Sequence, residues 1–175
     1  MTFMTLTRWW PAMVAAWLLV MAAACFAIMS HERTLRDGQL VYLELAPVDP
    51  RSLMQGDYMA LEFALNRELE AQMALQQMQS GDQPAYARLA VDEAGRTSFL
   101  ALADTADNHE GQVSLRVRQQ GSRFSLGPNA FFFQEGTAAV YEQADWGGFR
   151  VAEDGTSLLV SLHDENLNAL GFSRR

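Results

Sequence analysis

The sequence predicts an α+β chain: an N-terminal transmembrane helix, then a strand-rich antiparallel sheet or small barrel with one or two covering helices. Three observations predict it. Trp9–Met29 is an uncharged run of 21 residues. Beyond residue 31 the apolar period changes from helical to two. Glycine-bearing turns punctuate the alternating runs. The expected organisation is a tail and anchor over residues 1–30 and a head over residues 31–175.

At 1.5 Å per residue the first run spans roughly 30 Å, the thickness of a bilayer core. Trp9 and Trp10 stand at one end, where interfacial aromatics stand. A cleaved signal is one alternative, but its apolar core is about 7–15 residues, shorter than this one. Lipidation at Cys25 is another; Ala22-Ala23-Ala24 precede that cysteine, without a leucine three positions upstream. The expectation is an uncleaved anchor contacting membrane lipid through residues 9–29. The flanking charges are balanced, with Arg8 before the run and Arg33 and Arg36 after it, beside Glu32 and Asp37. Positive charge therefore gives no orientation.

Gln39–Ala46 places Val41, Leu43 and Leu45 on one face of a strand. Asp57–Leu65 does the same with Met59, Leu61, Phe63 and Leu65. A helix follows over Asn66–Gln79, with Asn66 as N-cap, Glu68 and Glu70 in the first turns, and an apolar face of Leu69, Met73, Leu75 and Met78. Ser80-Gly81 ends it. Ala85–Val91 and Thr97–Ala103 form a hairpin about Gly95, and Phe149–Val151 and Ser157–Leu162 another about Gly155. The two align at a constant offset of 60 residues. That is either an internal duplication or two hairpins meeting the same turn chemistry, and the second reading is preferred. In Gln112–Arg118, Val113, Leu115 and Val117 face inward and Ser114, Arg116 and Arg118 outward. Gly136–Trp146 reads as a second, shorter helix, and Phe131-Phe132-Phe133 as a buried strand or, alternatively, an exposed patch for a partner.

Composition narrows function. Hydrophobic residues are 49% and charged residues 19%, so the chain folds rather than staying disordered. A net charge of -8 does not suit a nucleic-acid binder, which needs a basic face. All 13 basic residues are arginine, so Schiff-base, Ser-Lys and P-loop chemistry are excluded. One cysteine excludes an intramolecular disulfide and a thiolate zinc cluster. His109 lies among Asp104, Asp107 and Glu110, a set read as a solvated acidic loop rather than a cation site. Asp164-x-Asn166-x-Asn168 begins like a calcium loop, but the required glycine is Ala169 and position twelve is Arg175. No G-x-S-x-G elbow is present. No metal, cofactor or catalytic residue is assigned.

Residues 47–63 read PVDPRSLMQGDYMALEF. Pro47 and Pro50 make a stiff extended loop, Gly56 allows a positive φ, and Asp57 caps the turn ahead of Tyr58. Gly56, Asp57, Tyr58 and Leu61 resemble the GDYXXLXY-motif family of bacterial envelope proteins. The motif's final tyrosine is Phe63 here, which removes a hydroxyl that could bind a ligand. Pro47-Val48-Asp49-Pro50-Arg51 also looks like the family, as does Phe132-Phe133-Gln134-Glu135-Gly136 ahead of a second helix. The resemblance implies a membrane-anchored domain of unknown activity facing the periplasm, a single pass through the inner membrane, and a polytopic membrane protein as partner. Asp49, Arg51, Gly56, Asp57, Tyr58, Glu135 and Gly136 are its candidate binding residues. The alternative is a hydrolase or small-ligand module using the same loop, with Asp57 and Glu135 sharing a cleft. A fainter likeness to the Gly-Asp strand turn of signal-peptidase-type barrels bears on fold alone, since no lysine is present to activate a serine.

Overall fold

The structure, a computed structural model, describes residues 10–46, 58–80, 84–120 and 123–171. Helix α1 spans Trp10–Asp37, eight residues past the apolar run. It is long and apolar enough to cross a membrane, and its apolar window is buried against nothing. Thr34 is the one buried residue of the helix. Gly38 ends it: its N–H donates to the Thr34 carbonyl at 3.0 Å, and its carbonyl accepts from Arg150 Nη1 at 2.8 Å. A Cβ at residue 38 would collide with the Thr34 carbonyl and stand 3.1 Å from the Val151 carbonyl. Glycine is what lets helix and sheet join without a spacer.

The head is antiparallel, as alternation predicts. Strands are β1 (Gln39–Glu44), β2 (Tyr58–Ala60), β3 (Tyr86–Val91), β4 (Thr97–Ala103), β5 (Gln112–Arg116), β6 (Arg118–Gln120), β7 (Arg123–Ser125), β8 (Ala130–Phe132), β9 (Trp146–Val151) and β10 (Ser157–His163). They form two three-stranded sheets, β1-β9-β10 and β4-β3-β5, and two ribbons, β2-β8 and β6-β7. Among the described residues the strands do not close into a barrel, so the open-sheet form of the expected α+β fold is the one adopted. Helix α2 (Leu65–Ser80) covers β4 and β7, and α3 (Ala138–Tyr141) is a single turn.

The inward faces are those the alternation gives. Val41, Leu43, Met59, Leu61, Phe63, Val113, Leu115, Phe149 and Val151 are all in the buried core. Each large side chain so buried contributes about 1.5–3 kcal/mol. Five expectations need correction. Leu75 and Met78 are exposed, because α2 packs on the core through Leu65, Leu69 and Met73, and these two lie beyond that stretch. Asn66 lies inside the first turn of α2, and its Oδ1 accepts from the Leu126 N–H at 3.3 Å instead of capping. Ser114 is fully buried, since the loop before β5 folds over it: Asn108 Oδ1 takes its N–H at 2.7 Å and the Asp107 carbonyl its hydroxyl at 3.1 Å. The second helix shrinks to four residues because Gly147 and Gly148 belong to β9, where they leave room for Phe63 and His163. Phe131-Phe132-Phe133 is not buried throughout, as Phe132 points to solvent.

The two hairpins share more than their turns. β3 and β9 each sit at the centre of a sheet, flanked by the hairpin partner and by a third strand. Leu89 faces Val113 and Tyr86 faces Arg116 in one sheet. Phe149 faces Val41 and Trp146 faces Glu44 in the other. Register therefore holds at the offset of 60 along the central strands. The third strands also cross-link the units: the Tyr42 N–H donates to the Gly95 carbonyl at 2.8 Å, and the Arg116 N–H to the Gly155 carbonyl at 2.9 Å. The third strands are not related by that offset, since β5 follows its hairpin and β1 comes long before the other, so the correspondence is confined to the two hairpins.

Gly95 and Gly155 hold φ of 84° and 79°. A side chain in that region costs about 1–2 kcal/mol. A Cβ at 155 would in addition stand 2.8 Å from the Tyr86 ring, whereas at 95 the nearest atom is 3.2 Å away. Gly155→Ala is therefore expected to lower the urea midpoint more than Gly95→Ala, with both below wild type.

Candidate functional site

The motif strand reaches the head through β1. Ala46 N–H donates to the Glu62 carbonyl at 2.7 Å and Ala64 N–H to the Glu44 carbonyl at 3.0 Å. Leu45 and Phe63 form an antiparallel bridge. These contacts lie at the end of β1 opposite α1. Within the motif, Met59, Leu61 and Phe63 point inward and Tyr58 and Glu62 outward. Phe63 is fully buried, its ring 5.4 Å from that of Phe149. The motif's leucine and its final aromatic position are thus core positions, and the Phe63 ring is closed to a ligand.

β2 pairs with β8 so that Tyr58 faces Phe132, Met59 faces Phe131 and Ala60 faces Ala130. Alternation then splits the three phenylalanines. Phe131 and Phe133 turn in against Tyr141, with ring centroids 5.2 and 5.3 Å apart. Phe132 turns out, 75% exposed, beside the 36% exposed Tyr58, with centroids 5.8 Å apart. Glu135 follows, exposed and without an ion pair among the described residues. Gly136 takes φ of 83°, and the turn is closed by the Thr137 hydroxyl donating to the Gln134 carbonyl at 2.6 Å. The two family-like segments therefore converge on one ribbon. Asp49, Arg51, Gly56 and Asp57 lie outside the described residues, and with them the pairing of Asp57 with Glu135.

Cavities lined by described residues adjoin the head. One of about 590 Å³ lies beneath the motif strand, lined by Leu61, Glu62, Arg67, Glu70, Arg123 and Asn129 among others. Another of about 620 Å³ lies between the end of α1 and the β9–β10 turn. Neither is lined by Tyr58, Phe132 or Glu135.

One arrangement escaped sequence reasoning. His163 Nε2 lies 2.8 Å from Ser161 Oγ and its Nδ1 3.0 Å from the Leu167 carbonyl. A carbonyl only accepts, so in the neutral ring Nδ1 carries the proton and Nε2 accepts from the serine. Leu167 adopts φ of 63° to aim that carbonyl. Gly148 makes room, since a Cβ there would stand 2.7 Å from Ser161 Oγ and 2.8 Å from His163 Nε2. The pair has the bond of a nucleophile to its base, yet both residues are buried, and the His163 ring packs edge-on to Tyr42 at 4.9 Å. Its work is to brace β10 and the following turn. The only sequence signal was the i, i+2 spacing, which puts the two side chains on one face of a strand.

The acidic segments serve turns. Asp164 carboxylate oxygens accept from the Asn166 and Asn168 N–H groups and from the Asn168 amide. The Asn168 amide is the main reason that its carboxyl lies below the usual range. His109 sits 3.6 Å from Asp107 on the exposed loop. Asp154 accepts from the Thr156 N–H and hydroxyl, both at 2.9 Å.

Residues 20–162 match the family described as GDYXXLXY protein. No curated protein and no solved structure matches the chain.

The Thr156 N–H, chiefly, holds the Asp154 carboxyl below its ordinary 3.8, against the raising effect of partial burial; the Thr156 hydroxyl and the Arg116 charge add to the lowering. A carboxyl depressed in the folded state stabilises above its unfolded pKa, and that stability disappears as pH falls through the folded value. Asp154→Ala is expected to lower the urea midpoint at pH 7. The gap to wild type is expected to narrow steadily below about pH 4.

Proposed function

The chain belongs to the GDYXXLXY protein family, and from that premise we propose a single-pass, membrane-anchored accessory protein of the bacterial envelope. In this reading α1 stays in the inner membrane and the head faces the periplasm. The head docks on a polytopic membrane protein and carries out no chemistry itself. The observation that supports docking is the Tyr58–Phe132 pair. Two aromatic side chains stand together in solvent on a ribbon built from both family-like segments, at the outward positions of the two strands, while Met59 and Phe131 take the inward ones. Clustered exposed aromatics of this kind characterise interface centres. Glu135 and Gly136 follow this ribbon in sequence, and with Asp49, Arg51, Gly56 and Asp57, which precede it, they are the further residues this reading assigns to binding.

The second reading, a small-ligand module, draws support from the 590 Å³ cleft under Leu61 and Glu62. Its wall carries two carboxylates, Glu62 and Glu70, and two guanidinium groups, Arg67 and Arg123. A ligand there would be zwitterionic or polar, and its binding would not involve Tyr58 or Phe132.

Tyr58→Ser combined with Phe132→Ser separates these readings. Substitutions at exposed positions cost little stability, and the lost ring contact adds only about 0.5–1.5 kcal/mol. The doubly substituted full chain, expressed in its own membranes and solubilised in detergent, is expected to keep its cooperative melt and to lose the polytopic protein that co-purifies with wild type. Retention of that partner would reject the patch. Asp57→Ala tests the preceding turn: partner loss with the fold intact assigns it to docking, and unfolding assigns it to turn capping. A cysteine-accessibility scan of the head fixes the side of the membrane on which it lies.

A further inference from the structure

We propose that the cleft between the end of α1 and the β9–β10 turn binds a zwitterionic aminophospholipid headgroup, a phosphate joined by a short link to a primary ammonium. This rests on the reading of α1 as a membrane anchor.

Depth is the first argument. The apolar run ends at Met29. The next two turns of α1, Ser30 to Asp37, rise about 12 Å at 1.5 Å per residue, which carries the helix through the headgroup layer of one leaflet. Ser30, Arg33, Thr34 and Asp37 line one wall of the cleft. The cleft therefore opens where headgroups lie, at very high local concentration.

The second argument is shape. The cavity measures about 620 Å³, within the range of small-molecule sites. Its wall includes the buried side chains of Val113 and Val151. The opposite rim is the turn Ala152–Asp154, held by the Glu153 carbonyl accepting from Asn108 Nδ2 at 3.4 Å. The helix cannot swing away freely, since Gly38 is tied to Arg150 and packed on Val151.

Charge is the third. Arg33 makes no hydrogen bond or ion pair among the described residues, and neither do the carboxylates of Asp37 and Glu153. Asp154 is already occupied by Thr156. One guanidinium and two carboxylates that have no partner among the described residues thus face one cleft. Arginine takes a phosphate in a bidentate grip, and the carboxylates accept N–H bonds from an ammonium. An anionic headgroup without an amine satisfies only Arg33 and meets the two carboxylates as like charges. A quaternary ammonium brings the charge but no N–H donors.

The test uses the full chain in nanodiscs containing equal parts of phosphatidylethanolamine, phosphatidylglycerol and phosphatidylcholine. Native mass spectrometry after mild delipidation reads the lipid retained. Phosphatidylethanolamine is expected to be enriched roughly tenfold over its bulk share, the factor that one charge-assisted hydrogen bond supplies. Arg33→Gln with Glu153→Gln should remove the enrichment. Arg36→Gln, exposed but outside the cleft, should keep it. Retention that mirrors the bulk mixture, a preference for phosphatidylglycerol, or an enrichment unchanged by the cleft substitutions would each overturn the site. Flotation with vesicles separates this from the anchor reading: a chain that floats yet retains lipid without preference rejects the cleft alone, whereas one that does not float rejects both.

Discussion

The head depends on one contact, the packing of Phe63 against Phe149. Phe63 ends the motif strand and Phe149 lies in the middle of β9, and both are fully buried. Two glycines bound the space the rings fill. A Cβ at Gly127 would stand 2.6 Å from Phe63 and 2.8 Å from Phe149, and one at Gly147 would stand 3.1 Å from Phe149 and 3.2 Å from Phe63. Close-packed interiors do not absorb such overlaps. The contact thus ties together the motif strand, the central strand of one sheet and the link between β7 and β8. It also explains why the motif ends on a large aromatic position: that ring is structural, and Tyr58 of the same strand faces outward.

What the sequence disclosed was periodicity. Strands with one dry face write their burial in alternate letters, so Val41, Leu43, Met59, Leu61 and Phe63 could be assigned inward before any coordinates. Gly95 and Gly155, each with an aspartate three or one residues before, announced their turns. Failures occurred where burial is decided from outside the element. Ser114 alternates outward, and a loop six residues away in sequence covers it. Leu75 and Met78 continue the apolar face of α2 past the stretch that packs on the core. Gly147 and Gly148 look like a helix stop and are a strand hollowed out for rings on its neighbours. The candidate site was half legible. Family-like segments were visible as words, but that Tyr58 faces Phe132 is a fact of pairing between residues far apart in sequence, which local pattern does not encode.

The two three-stranded sheets protect one another. Each has two open edges, which must be covered or paired. Here each unit's third strand donates a backbone N–H to the turn glycine of the other, from Tyr42 to Gly95 and from Arg116 to Gly155. The cross-link is reciprocal, and the units cover one another's turns. Arg96 adds to it by lying 5.1 Å over the Trp146 ring of the opposite unit. The motif strand completes this core from one side through Met59, Leu61 and Phe63, and only its outer face, with Tyr58, is left uncovered.

The topology also constrains what could dock there. β1 leaves the anchor at Gln39 and meets the motif strand at Glu44 to Ala46. Five residue steps at about 3.4 Å each separate the two ends by about 17 Å. The anchor end is fixed rigidly, because Gly38 leaves no spacer between α1 and the sheet. A partner that touched Tyr58 and Phe132 would meet the chain at the end of β1 opposite α1. Contacts with the partner's membrane helices would fall instead to α1, whose apolar surface is exposed along its length. Docking in this protein would then be divided between two surfaces held at a fixed spacing, which makes each weak contact effective through the other.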